Sequence, residues 1–265
     1  MRNIKLFIIV LCVFTFMIDI CMVQAKANSD ESSLVQLRAG GGSSGGGGSG
    51  GSSGSSGGHG YGGRGSSYSS SGNTFLDILN EFLSLGLFCC ILFLTTILFY
   101  LKVLRSSFNS RRYLRMLSKQ DNAWKYKKIE KQVIKTFYVV QRAWTSGNME
   151  PAKEYMDSDL YEAFQTKLEW MEVGNKRNVL KRIRLINLRP VSIHDDEDDL
   201  KDLIWFYING FMVDYMINTQ TNEKIEGNDI FGMPFIEFWR FTRKGDKWVL
   251  SKILQSNESD QIIFE

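Results

Sequence analysis

The longest uniform pattern in the chain is Phe82–Val103, FLSLGLFCCILFLTTILFYLKV, which carries no charge until Lys102. About twenty apolar residues at ~1.5 Å rise make a helix of roughly 30 Å, the thickness of a bilayer's hydrocarbon core. Ser84, Thr95 and Thr96 can bond back to their own helix and do not oppose insertion. The spacing predicts a transmembrane helix over 82–103. With no ionisable group at mid-depth, it is not expected to carry a transport path. A shorter apolar run, Leu6–Ile18, follows Arg2 and Lys5 and precedes the small residues Ala25 and Ala27. That layout predicts a secretory signal over 1–27, with an uncleaved N-terminal anchor as the alternative.

Residues 40–72 are almost entirely Gly and Ser, interrupted by His59, Tyr61, Arg64 and Tyr68. Glycine loses the most backbone freedom on ordering, and nothing in this tract could repay that loss by burial. Residues 28–74 are therefore expected to form a disordered tether, in which the 40–72 tract spans roughly 30 Å from end to end.

Beyond Ala123 the apolar residues Trp124, Ile129, Val133, Phe137, Val140, Ala143 and Trp144 recur at helical spacing, stopping at Ser146-Gly147-Asn148. Pro151 opens a short helix to about Met156, and Asp157 or Ser158 caps another in which Leu160, Tyr161, Phe164, Leu168 and Met171 share a side. Gly174-Asn175 ends it. The texture then changes to strands: Val179–Ile193, the acidic turn His194–Asp199, and Leu203–Ile217, where Ile204, Phe206 and Ile208 alternate with Trp205, Tyr207 and Asn209. Gly210 suggests a bulge, and Asn218–Asn222 and Gly227-Asn228 read as turns. Phe235–Arg243 and Lys247–Gln255 then form a last hairpin about Lys244-Gly245-Asp246. Helices followed by a meandering antiparallel sheet make an α+β domain.

The formal net charge is only +3, so direct nucleic-acid binding is not expected. The distribution is more telling. Asp77 and Glu81 precede the apolar run, whereas Lys102, Arg105, Arg111, Arg112 and Arg115 follow it. This bias predicts a cell-membrane protein with the Gly-rich segment outside and the C-terminal domain cytoplasmic. Residues 104–122 form a basic juxtamembrane segment, and Lys102, Arg105, Arg111, Arg112, Arg115 and Lys119 are candidate contacts for an anionic lipid surface, at roughly 1 kcal/mol each. Alternatively, beyond the nearest few they only solvate a helix. Cys12, Cys21, Cys89 and Cys90 lie in or beside apolar segments without metal-ligand spacing, and neither His59 nor His194 has a ligand cluster around it. No metal or cofactor is expected.

Several runs of the domain carry a family resemblance: Gln141-Arg142-Ala143-Trp144 closing a helix, Asp214-Tyr215 ending a long strand, Gly227 after it, and the hairpin Phe238-Trp239-Arg240-Phe241-Thr242-Arg243 with Lys247-Trp248-Val249-Leu250. Residues 123–257 resemble the TIM forty-four-like domain, the C-terminal domain of the membrane anchor of the mitochondrial import motor, also found in bacterial membrane proteins and in a mitochondrial ribosomal protein. The resemblance implies a cone-like fold of the nuclear transport factor two type, with helices in the concave face of a curved sheet. It singles out Trp144, Asp214, Tyr215, Trp239 and Trp248 as pocket or motif residues. It also implies a non-enzymatic binding or scaffold role with a protein partner, linked to protein translocation or membrane-protein handling. The import anchor's chaperone-binding N-terminal part has no counterpart here, so that role does not carry over. The alternatives are a small-molecule or enzymatic pocket in the cone, and a ribosome-associated membrane protein. For chemistry, Asp214-Tyr215 is the one suggestive pair, and adjacent strand residues point to opposite faces.

Overall fold

The computed structural model describes residues 74–262 and 264. The expected signal and tether lie outside the described residues. Two compact units divide the chain between Ile97 and Leu98.

The apolar run forms a helix, α1 (Thr74–Leu117), long and apolar enough to cross a membrane. In its first part Leu83, Leu87, Phe88, Ile91 and Leu94 are exposed. The hydroxyls of Thr95 and Thr96 both donate to the Leu92 carbonyl, the back-bonding that lets polar side chains sit in an apolar helix. The helix does not stop at Val103. No Gly or Pro interrupts 104–117, and Val103, Ser106, Ser107, Ser110, Leu114 and Leu117 recur at helical spacing as a buried stripe.

In the folded unit, Asp121 accepts from the Ala123 N–H and redirects the chain into α2 (Tyr126–Ser146). That helix ends where expected: Gly147 adopts φ 71°, and the N–H groups of Gly147 and Asn148 close on the carbonyls of Trp144 and Ala143. A 3-10 turn (Glu150–Tyr155) carries Pro151 in its first turn, and Asp157 caps α3 (Ser158–Val173) through the Ser158 N–H. Four antiparallel strands follow in the order β1 (Lys176–His194), β2 (Leu203–Asn218), β3 (Lys224–Lys244) and β4 (Lys247–Gln255).

One face of this sheet receives α2. Phe137 packs on Trp239 and Phe235, and Trp144 packs on Phe164 of α3. Ile204, Phe206, Ile208, Phe241, Trp248 and Leu250 complete this inner core. The other face is covered too. Trp205, Tyr207, Phe238 and Leu254 cluster with Val103 and Phe99 of α1 and with Ile262 and Phe264 after β4. β2 is therefore buried on both sides, and Leu203–Ile208 is uninterruptedly apolar for that reason.

Two readings of the sequence need correction. Gly227-Asn228 is not a turn between strands but lies inside β3, which starts at Lys224. β1 starts at Lys176, ahead of the expected Val179. The irregularity signalled by Gly227 is real: its φ is 81°, and a Cβ there would meet the Asp214 carbonyl at 2.5 Å. The strand tolerates it because β2 and β3 shift register between Met212 and Asp214.

Candidate membrane-proximal site

Burying one stripe of α1 leaves the opposite side to solvent. Lys102, Arg105, Arg111, Arg112, Arg115 and Lys119 are all exposed. Lys102 sits 4.2 Å from the Phe264 ring centroid. Arg111 lies over the Tyr126 ring at 4.9 Å and donates to its hydroxyl, which donates in turn to Glu130 at 2.7 Å. Burial, and then Glu130, push the Tyr126 hydroxyl up to about 12. Arg105, Arg112, Arg115 and Lys119 project without such engagement. Phe108 and Met116, 71% and 55% exposed, fall on the same side as these cations. The sequence reading passed over both, although their spacing of three and four residues from Arg105 and Arg112 was visible.

The motif residues divide. Trp144 Nε1 donates to Asn178 Oδ1 at 2.9 Å, and Asn178 Nδ2 donates to Asp214 Oδ1 at 2.7 Å. Asn178 is 3% exposed, so this amide links the end of α2 to β2 in a dry setting where each bond matters. Tyr215 faces elsewhere, under the Lys181 ammonium at 5.1 Å. Trp239 donates to Glu237 at 2.9 Å, and Trp248 donates to the Ala123 carbonyl at 3.2 Å while packing edge-on to Trp124. The structure thus joins Trp144 to Asp214 through Asn178, a residue the sequence reading missed, and sets Trp239 and Trp248 in the inner core. Gln141 and Thr136 of α2 are buried polar residues, with neither amide atom of Gln141 nor the Thr136 hydroxyl hydrogen-bonded. A depression of about 360 Å³ lies between Lys153, Met156, Ser158, Tyr161, Glu162 and Lys244.

On the outer face, Arg189 and Tyr207 are cross-strand neighbours. Asn209 donates to the Tyr207 hydroxyl at 3.4 Å, and Tyr100 of α1 lies near enough to interact with it electrostatically. Arg189 Nε is buried without a hydrogen-bond partner. Burial pushes the Tyr207 hydroxyl up, so it stays protonated and able to donate.

At the other end of the sheet the charges are paired. Arg243, almost buried, holds Asp202 at 3.1 Å, Asp199 at 3.3 Å, and Asp121. The Ala123 N–H, and then Arg243, hold the Asp121 carboxyl below its ordinary range, while burial pushes Asp202 up.

Compared with known proteins, the chain matches the family model of the Tim44-like domain over residues 110–255, more than half its length. The crystal structure of the intermembrane space region of chloroplast protein ARC6 aligns with 49% of this chain and 96% of its own, at 12% identity and a TM-score of 0.36. A comparison with curated proteins finds no match. The chain belongs to the Tim44-like domain family.

Proposed function

We propose that this protein is a membrane-tethered, non-enzymatic scaffold. Its Tim44-like domain takes a protein partner beneath the cytoplasmic leaflet, in the translocation or handling of membrane proteins. The observation that carries the reading is the exposed side of α1, where Arg105, Phe108, Arg112, Arg115 and Met116 continue directly from the apolar run. Along the helix axis, Lys102 and Arg105 fall within a Debye length of the last uncharged residue, Leu101. Arg112, Arg115 and Lys119 fall roughly 15–25 Å further on. The first pair therefore suits lipid headgroups, and the lower cations, interleaved with Phe108 and Met116, suit a partner that is both acidic and apolar. Family membership supports this reading, the Tim44-like family being in general one of non-enzymatic scaffolds. The engagement of Asp214 by Asn178 supports it as well.

The test uses the full chain in its own membrane, with a photoreactive amino acid at 108 or 116. We expect the protein to resist alkali extraction. We expect crosslinks at 108 to a discrete protein, reduced several-fold by Arg112→Glu with Arg115→Glu. Release by alkali would remove the tether from the account, and crosslinks unchanged by the double variant would remove the basic side of α1 from the binding surface.

A further inference from the structure

Two helix faces of the folded unit are left open, and they carry opposite charge. In α1 the stripe Val103, Ser106, Ser110, Leu114 and Leu117 is buried, so Arg105, Phe108, Arg112, Arg115 and Met116 point the other way. No acidic residue occurs between Leu98 and Gln120, and the next one, Asp121, is held by Arg243. In α3 the buried side is Phe164, Leu168 and Met171. Glu162, Ala163, Thr166, Glu169, Trp170 and Val173 lie on the opposite side, all exposed.

Trp170 is the anomaly of this second face. It is 72% exposed, whereas the other five tryptophans are 8% exposed or less. Val173, one turn on, is exposed as well. A bare tryptophan among carboxylates is the composition of a contact surface rather than of a solvated helix side. The cations that share the depression with Glu162 are turned to other groups, Lys153 to Glu150 and Lys244 to Asp157. Lys167 of α3 lies over the Trp144 ring, and Lys176 and Arg177 follow only after the helix has ended.

The two faces match in length and in kind. Arg105 to Met116 and Glu162 to Val173 each span roughly 17 Å along a helix axis. Each mixes charges of one sign with one aromatic and one smaller apolar side chain, Phe108 and Met116 on α1, Trp170 and Val173 on α3. Laid together, they bring Arg112 and Arg115 to Glu162 and Glu169 while covering Phe108 and Trp170. Within one molecule this cannot happen. α1 buries Val103 with Trp205 and Tyr207, then Leu114 and Leu117 in the inner core, which also holds Phe164 and Leu168 of α3. Both helices turn their buried sides into one body, so their exposed faces point away from it.

We infer that the basic side of α1 docks on the acidic side of α3 in a second copy of this chain. This deepens the proposed function, whose acidic and apolar partner it names, and rests on that side of α1 being a binding surface. A contact between two different faces is heterologous. Each pair keeps one α1 face and one α3 face free for further copies, so the assembly grows into a ring or a row.

The test uses the full chain in its own membrane, with a photoreactive amino acid at 108 in one experiment and at 170 in another. We expect both positions to give a product of twice the chain's mass, made of this chain alone and joining a peptide of α1 to one of α3. Arg112→Glu with Arg115→Glu, or Glu162→Arg with Glu169→Arg, should each reduce that product several-fold. Co-expressing the two double variants should restore it, because each then meets a face of opposite charge on the other. Variants that merely misfold would not be rescued in this way. If position 108 crosslinks only to a different protein, the basic side stands as a binding surface and self-assembly is wrong. If both double variants lose the product and co-expression restores nothing, the pairing of these two faces is wrong. If crosslinks at 108 ignore Arg112→Glu with Arg115→Glu, or reach lipid alone, the proposed surface fails and takes the pairing with it.

Discussion

The two ends of the sheet solve the same problem differently. At the end holding the β1–β2 connection, one guanidinium, Arg243, gathers three carboxylates, the neighbouring Asp199 and Asp202 and the distant Asp121. At the other end the cations of β1 stand in solvent beside exposed Ile230 and Phe231. A domain that met only water would have little reason to satisfy charge at one end and leave apolar surface at the other. The contrast separates an end kept for stability from an end kept for contact.

The sharpest way to break that contrast is at the paired end. Arg243→Met leaves Asp202, 0% exposed, with its charge uncompensated, and is expected to cost about 3–5 kcal/mol in urea unfolding. A loss under ~1 kcal/mol would mean the network holds nothing together. Next comes Asn178, at the contact end but on the inner face. Asn178→Ala strands the Trp144 N–H and removes a donor to Asp214, at an expected cost of about 1–3 kcal/mol, and Asn178→Asp should cost at least as much because it faces the Asp214 carboxylate with a second one.

The paired end should also respond to acid. The folded-state pKa of Asp121 is depressed, so its contribution is complete above the ordinary value of 3.8 and is lost as pH falls below it. Asp202 is shifted up, so its contribution has the opposite sign, present at low pH and lost as pH rises through the raised value. Asp121→Asn should therefore lower the urea midpoint at neutral pH, with the gap to the parent protein narrowing below about pH 3.8. A gap independent of pH would show that Asp121 acts only as a cap. The smallest effect is expected at the bulge in β3: Phe231→Ser, at an exposed side chain, should change stability by no more than about 0.5 kcal/mol. A large loss of stability would make Phe231 a core residue.

What was legible in the sequence was mostly local. The αL stop at Gly147, the Asp157 cap and the last hairpin follow from residues within a few positions of one another, and each appears where expected. Non-local features were not legible. Nothing near Arg243 announces Asp121, more than a hundred residues earlier, and nothing near Trp144 announces Asn178. Gly227-Asn228 carried a genuine turn signal, but a bulge needs the same positive φ as a turn, and only pairing with β2 distinguishes them. The apolar run Leu203–Ile208 did hint that both sheet faces are covered. The alternation reading favoured one face because what covers the other comes from Phe99 and Phe264, at opposite ends of the folded unit.

That outer cover has a consequence for the order in which the domain is made. Tyr207 and Phe238 are translated well before Ile262 and Phe264, which close over them beside α1. During synthesis the inner core can assemble while the opposite surface stays open, leaving an aromatic patch bare until Ile262 and Phe264 arrive. Truncation after Gln255 should leave that intermediate as the end state, prone to self-association although every strand is present.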